Sequence, residues 1–169
     1  MRFIKKFSVV ALAFAIGVSS FGSVSEAKTK SLSVYGESKL CDKDGKSAGK
    51  DEIFPKKYKF KTGKVTTIKC SIFTWGNEMI DSPYITIKNW SSYYGIKNSK
   101  INATYVNGKD SGSLGISKID GGTLKIKFAK KVNGKYKSKF SINPDSDFVI
   151  TVKIKPGDRE VETWDESGW

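Results

Sequence analysis

The chain has 169 residues, with 30 lysines and arginines against 17 aspartates and glutamates, for a formal net charge of +13 at pH 7. It contains no histidine, which excludes Ser-His-Asp and Cys-His catalysis and histidine-ligated metals. Almost every basic residue is lysine, a hydrated point charge that suits diffuse, salt-sensitive attraction to polyanions better than geometric recognition of one phosphate.

Residues 1–27 have the features of a signal peptide. A basic start precedes an apolar segment over 7–18, which is too short to span a membrane. Small residues at Ser25 and Ala27 predict cleavage after Ala27, so the mature chain is expected to begin at Lys28. We therefore expect a secreted, extracellular protein of bacterial type.

A single basic β-domain is predicted over residues 28–157. It opens with a short strand at 31–35, followed by a polar turn around Asp42 and Asp44. The acids of that turn resemble the start of a calcium loop, but the remaining ligands are missing. A turn is therefore the preferred interpretation, and no metal or cofactor is expected.

The only two cysteines of the chain are Cys41 and Cys70. An even cysteine count in an exported protein predicts one disulfide between them. A pair of buried free thiols is the alternative. Cys70 falls on the inward side of a strand predicted over 65–74, together with Ile68 and Ile72.

Aromatic residues concentrate in the middle of the chain. If Ile85 and Ile87 face the core, these rings face outward, where they would offer flat surfaces to sugar rings. The alternative is that they fill or cover the core. The candidate aromatic ligand-binding residues are Trp75, Tyr84, Trp90, Tyr93 and Tyr94.

Three strand-like runs with alternating lysines occupy residues 122–154. Leu124, Ile126 and Phe128 alternate with lysines, as do Tyr136, Phe140 and Ile142, and a last apolar run follows at 148, 150, 152 and 154. Period-two alternation of this length is typical of half-buried antiparallel strands.

The turn near Asn133 and Gly134 sets the register of this hairpin. A two-residue loop would mix apolar and charged faces, so a three-residue loop over 132–134 is predicted, pairing Ile126 with Phe140. That register would also set Lys127 opposite Lys139 and Lys131 opposite Lys135, and an anionic partner would offset the repulsion. The alternative is a solvated strand face. The candidate polyanion-binding residues are Lys125, Lys127, Lys131, Lys135, Lys137 and Lys139.

The final segment, 158–169, reverses the charge and is predicted to be an acidic C-terminal tail or edge strand. One hypothesis is that it lies against the lysine face and masks it until a partner arrives. The other is a frayed end.

The predicted fold is all-β, an antiparallel β-sandwich of about eight or nine strands, immunoglobulin-like or jelly-roll, with a closed β-barrel as the alternative. The predicted function is non-catalytic binding of anionic or carbohydrate polymers of the cell envelope or extracellular matrix by a monomer. Peripheral contact with an anionic membrane is compatible with this, whereas nucleic acid is not an expected physiological partner. A membrane-active toxin or antimicrobial protein using the 122–142 hairpin is the alternative. An enzyme, with Glu78 and Asp81 as paired carboxylates, or an enzyme inhibitor has no supporting motif.

Overall fold

A computed structural model describes residues 28–74 and 76–159. This part of the chain is all-β and antiparallel, with ten strands and a single 3-10 turn, Trp90–Ser92, but no α-helix. Within those residues, no helix has the length and apolarity to cross a membrane. The prediction of an all-β, antiparallel fold is therefore confirmed.

The first and last strands are longer than the sequence pattern indicated, and the strands number ten because the return of the predicted hairpin is split into two short pieces. Their bounds are β1 Thr29–Cys41, β2 Ser47–Lys61, β3 Thr66–Ile72, β4 Met79–Ile87, β5 Tyr94–Asn107, β6 Asp110–Asp120, β7 Leu124–Val132, β8 Lys135–Lys137, β9 Lys139–Ser141 and β10 Phe148–Asp158.

All ten strands belong to one sheet, with the order β2-β1-β4-β7-β6-β5-β10-β3, and with β8 on β7 and β9 on β4. The two ends of this order approach each other, because a tight turn bridges Lys61 of β2 to Lys64 before β3. The Thr66 hydroxyl also donates to the Lys59 carbonyl at 2.7 Å. The sheet is thereby nearly closed into a barrel.

The core lies inside this sheet and is built from the alternate residues that the sequence predicted. Leu124, Ile126 and Phe128 of β7 are buried, as are alternate residues of β10 from Phe148 to Ile154. Ile68, Cys70 and Ile72 of β3 are also buried, so the alternation predicted for that strand is confirmed. Burial of one face of each strand is the main favourable contribution to folding.

The predicted disulfide is wrong, since Cys41 and Cys70 are buried free cysteines and no disulfide occurs within 28–74 and 76–159. Cys41 ends β1, whereas Cys70 lies in β3, and β2 lies between these two strands. Two interstrand spacings amount to about 9–10 Å. A disulfide needs Cα atoms within about 7 Å of each other.

The predicted three-residue loop is also wrong. Val132 pairs with Lys135, which leaves a two-residue loop of Asn133 and Gly134, with φ angles of 50° and 78°. Positive φ at both positions is the requirement of a type I′ turn. The prediction assumed that one continuous strand returns along β7, but pairing to β7 ends at Lys137.

The phase of the return strand changes at Ser138, between β8 and β9. Phe140 pairs with Ile80 of β4 and is buried, whereas Tyr136 pairs with Lys131 of β7 and is exposed. The predicted inward position of Tyr136 is therefore wrong. Ile126 pairs with Ile85, not with Phe140, for the same reason.

Three of the sequence predictions concern parts of the chain outside the described residues. The signal peptide over 1–27 lies there, as do Trp75 and residues 160–169 of the acidic segment. Asp158 ends β10 and pairs with Tyr94 of β5, three strands away from β7. The masking hypothesis for the acidic segment stays a prediction.

Candidate functional site

One edge of β4 is shared by two different strands. Tyr84 to Ile87 pair with β7, whereas Met79 to Asp81 pair with β9. Because β7 turns away from β4 beyond Lys127 and pairs with β8 instead, the sheet forks at this point. Ser138 lies in the fork, where its carbonyl accepts a hydrogen bond from the Ser82 N–H at 2.8 Å.

The other edge of β4 carries a β-bulge at the same level. Glu37 pairs with Tyr84 and Lys39 with Asp81, so Ser82 and Pro83 together face Ser38. Ser82 has a φ of 53°, a left-handed conformation that is uncommon for residues other than glycine. Bulges of this kind occur next to functional sites, because they redirect side chains and interrupt the ladder.

The bulge and the fork together open a cavity of about 320 Å³, which we call the fork cleft. The three lysines that line it come from two strands, Lys39 from β1 and Lys125 and Lys127 from β7. The full lining is Glu37, Ser38, Lys39, Ser82, Tyr84, Lys125, Lys127, Phe128 and Ser138.

The charges of the fork cleft leave it positive. Glu37 is the one carboxylate among the described residues that line it. Glu37 already binds the Lys50 ammonium at 3.3 Å and accepts a hydrogen bond from the Tyr35 hydroxyl at 3.4 Å. The Lys125 ammonium stands 4.0 Å from the centre of the Tyr84 ring, within the range of a cation–π interaction. This contact holds the Lys125 ammonium at the wall of the cleft.

Ser38 is the one buried serine among the residues that line this cleft. Ser38 is 1% exposed, and its Oγ has no hydrogen-bond partner in the described part of the chain. Ser38 alternates with Glu37 and Lys39 along β1, so its side chain lies on the inward face of the strand, and its hydroxyl is closed off from solvent.

The six predicted lysines do not form one ladder. Lys125 and Lys127 line the fork cleft, and Lys131, Lys135 and Lys137 lie at the exposed tip of the β7–β8 hairpin. The prediction that Lys127 faces Lys139 and Lys131 faces Lys135 is wrong, because the loop has two residues. Lys139 pairs with Asp81 instead, and its ammonium donates to the Gly45 carbonyl at 2.9 Å.

Two of the predicted aromatic ligand-binding residues lie in the core and not on the surface. Trp90 and Tyr94 are fully buried, with their ring centres 4.8 Å apart, and the Tyr94 hydroxyl donates to the Phe60 carbonyl. A buried ring has no face to offer a sugar, so their assignment as ligand-binding residues is corrected to the core. Tyr93 is half-buried beneath the Lys30 ammonium, and of the predicted set Tyr84 lines the fork cleft.

A lysine outside the predicted set makes an internal ion pair. The Lys130 ammonium lies 2.6 Å from the Asp110 carboxylate, which also accepts a hydrogen bond from the Tyr105 hydroxyl at 3.1 Å. The hydrogen bond from Lys130 lowers the pKa of Asp110, against the opposite effect of burial. Burial acts to lower the pKa of Lys130, but the hydrogen bond and charge of Asp110 outweigh it, so that pKa is raised.

Sequence reasoning missed Ser38, Lys39, Ser82 and Ser138 as members of the site. The Ser82-Pro83 pair was the available signal, because proline inside an apparent strand indicates an edge or a bulge. The position of Ser138 had no comparable signal, since it depends on which strand each half of the return joins. No group of three or more histidine, cysteine, aspartate or glutamate side chains suited to a metal is present among the described residues.

No family model, curated protein or solved structure matches this chain. The chemistry of the fork cleft therefore has to be read from its own residues. Lysine ammonium groups, serine hydroxyls and one tyrosine can bind anionic oxygens and sugar hydroxyls by charge and hydrogen bonding.

Proposed function

We propose that this chain is a non-catalytic binding protein for an anionic polymer, and that the fork cleft is its binding site. The observation that carries the proposal is the convergence of Lys39, Lys125 and Lys127 on one cavity. Three lysines around one cavity favour an oxygen-rich anion such as a carboxylate, sulfate or phosphate.

The arrangement also favours a polymer over a small ion. The cleft is open to the outer face of the sheet, where exposed lysines continue along the β7–β8 hairpin at 131, 135 and 137. A chain of negative charges could follow this surface, and its attraction would be strong at low salt and screened at high salt. The partner proposed for the protein is a polymer of the cell envelope or extracellular matrix, in keeping with the export predicted for residues 1–27.

The test is binding of the purified protein to polygalacturonate and to polyphosphate, measured across a range of salt concentrations. The double variant Lys125→Ala/Lys127→Ala should lose about tenfold or more in affinity for both polymers at low salt, because it removes two of the three cleft cations. The salt dependence of the remaining binding should be shallower.

A matched control removes the same net charge elsewhere. Lys153 and Lys155 are exposed on β10, three strands from β7, so Lys153→Ala/Lys155→Ala should keep most of the affinity. Equal losses in the two double variants would mean that binding depends on net charge alone, and the cleft would then have no special role. An affinity that does not change with salt concentration would contradict polyanion binding itself.

Two features favour this proposal over the membrane-active alternative. The apolar residues of β7, such as Leu124 and Ile126, are buried in the core. The return of the hairpin is interrupted at Ser138 and divides between two neighbouring strands. Release of the hairpin for membrane insertion would expose part of the core.

For the architecture we propose the closed barrel, which was the alternative to a sandwich. Its support is that β2 contacts both ends of β3. The Thr66 hydroxyl at the start of β3 donates to the Lys59 carbonyl, and the N–H of Phe73, directly after β3, donates to the Asp51 carboxylate at 3.1 Å. A sheet that returns to its own first strand in this way protects both edges. Slow amide exchange of the β2 and β3 edges would support the closed form, and rapid exchange of both would favour two separate sheets.

A further inference from the structure

A second depression adjoins the fork cleft on the outer face of the sheet. It has a volume of about 400 Å³ and lies over β6 and β7, where two small residues, Gly115 and Ala129, are paired. Ile116 and Phe128 also contribute to its lining, and Tyr136 stands over it. We call it the tyrosine slot.

The ring of Tyr136 lies directly against Gly115. A Cβ atom on Gly115 would lie 2.6 Å from Cδ1 of Tyr136, so the ring occupies space that any other residue at 115 would fill. The side chain is nevertheless 60% exposed, and the Lys131 ammonium lies 5.8 Å from its centre. A large ring fixed against the sheet but open to solvent is an available contact surface.

The tyrosine slot and the fork cleft adjoin each other, because Lys127, Phe128 and Ser138 line both. Together they cross β1, β4, β7 and β6, which are consecutive in the sheet. Three interstrand spacings correspond to about 14 Å, so the combined groove is long enough for more than one unit of a polymer. One end of it is cationic, and the other is apolar and aromatic.

We propose that the tyrosine slot binds a sugar ring, and that the polymer is therefore an acidic polysaccharide. One ring would lie against Tyr136 above Gly115 and Ala129, while a carboxylate or sulfate of the neighbouring unit pairs with Lys125 and Lys127. Apolar and aromatic lining with a few placed polar groups is the usual composition of a small-molecule subsite. This inference rests on the proposed function and specifies its ligand class.

The experiment compares a ringed with a ring-free polyanion of similar charge. Affinities for an oligogalacturonide and for polyphosphate are measured by calorimetry with Tyr136→Ala, Tyr136→Phe and Gly115→Ala. Tyr136→Ala should weaken oligogalacturonide binding by about two- to tenfold while leaving polyphosphate binding unchanged. Tyr136→Phe should retain the affinity, because it keeps the ring. Gly115→Ala should reproduce the loss, because it displaces the ring without removing it.

Val106→Ala is the matched control, since Val106 is another exposed apolar residue, 52% exposed, on β5. Unchanged oligogalacturonide binding in both Tyr136→Ala and Gly115→Ala would overturn the inference, as would equal losses for both polymers. Tyrosine-dependent binding of a fatty-acid carboxylate that displaces the sugar would assign the slot to an acyl chain and also overturn it. If Tyr136→Ala or Gly115→Ala fails to fold, the two polymers are compared with the other variant.

The two proposals fail differently. If Lys125→Ala/Lys127→Ala leaves the affinity for both polymers unchanged, the proposed function is wrong. If the lysine variant binds both polymers more weakly but the Tyr136 and Gly115 variants bind them as the wild type does, only the acidic-polysaccharide inference is wrong.

Discussion

Gly157 lies where the backbones of β10 and β5 approach most closely. A Cβ atom at this position would be 2.1 Å from the Asn98 carbonyl oxygen, which belongs to rigid backbone. The Gly157 N–H donates to the Ser99 hydroxyl at 2.9 Å, and that hydroxyl donates to the Gly95 carbonyl. This chain of hydrogen bonds accompanies the register shift between Lys155 and Gly157, so the glycine is needed for space and not for a special φ angle.

We expect Gly157→Ala to lower the free energy of unfolding by about 1–3 kcal/mol, because the backbone of β5 would have to move. The measurement is urea unfolding, with a lower midpoint at an unchanged m value. Gly121→Ala is the control, since a Cβ there meets nothing within 4 Å. Equal midpoints for the two variants would contradict this account.

At the scale of the elements, Asp110 ties the β5–β6 hairpin to β7. It begins β6, accepts from Tyr105 on β5, and pairs with Lys130 on β7. Because its pKa is lowered in the folded state, its contribution to stability is fully present above the ordinary pKa of an aspartate, about 3.9. That contribution is lost as the pH falls below this value and through the lowered pKa of the folded state.

Asp110→Asn should therefore destabilise the protein at pH 7 by at most about 1 kcal/mol, since the pair is half-exposed. The difference between variant and wild type should shrink as the pH falls below about 4. Urea midpoints at several pH values measure this, with the exposed Asp145→Asn as a control. A difference that stays constant down to low pH would show that the ion pair does not contribute.

The pairing of whole elements also explains why the hairpin prediction failed. The inward alternation of Leu124, Ile126 and Phe128 follows from the sequence, because it depends on one strand and one core. The loop at Asn133 was predicted by requiring one continuous partner strand. Ser138 breaks that continuity, so β8 keeps the register of a two-residue turn and β9 takes a different register on β4.

For the molecule as a whole, sheet order determines the state of the cysteines. β2 separates the strands of Cys41 and Cys70, and both thiols are buried. Burial raises the pKa of Cys70 to about 11, so this thiol is almost wholly protonated at pH 8, and the thiolate is the reactive form. Because both thiols are buried, thiol reactivity is a measure of global unfolding.

We expect a thiol reagent at pH 8 to label the native protein slowly, and to label two thiols per chain after denaturation without reductant. Addition of a reductant should leave the thermal midpoint unchanged, because there is no cross-link to remove from the unfolded chain. Mass spectrometry of the labelled, denatured protein provides the count. Labelling that requires prior reduction would instead demonstrate a disulfide.

The sequence by itself determined the all-β class, the inward faces of β3, β7 and β10 and the excess of lysine, because these depend on local alternation and composition. It also placed Lys125, Lys127 and Tyr84 among the candidate site residues, and all three line the fork cleft. The tertiary structure decided that Trp90 and Tyr94 belong to the core and that the cysteines are apart.

The position of the candidate site could be found only from the tertiary structure. The fork cleft exists because β4 is shared by β7 and β9, and the tyrosine slot exists because β8 carries Tyr136 over Gly115. Both depend on pairing between residues distant in sequence, and on the one-residue change of phase at Ser138. A shift of one residue reverses the face of every side chain that follows. The local periodicity of the sequence does not show where such a shift occurs.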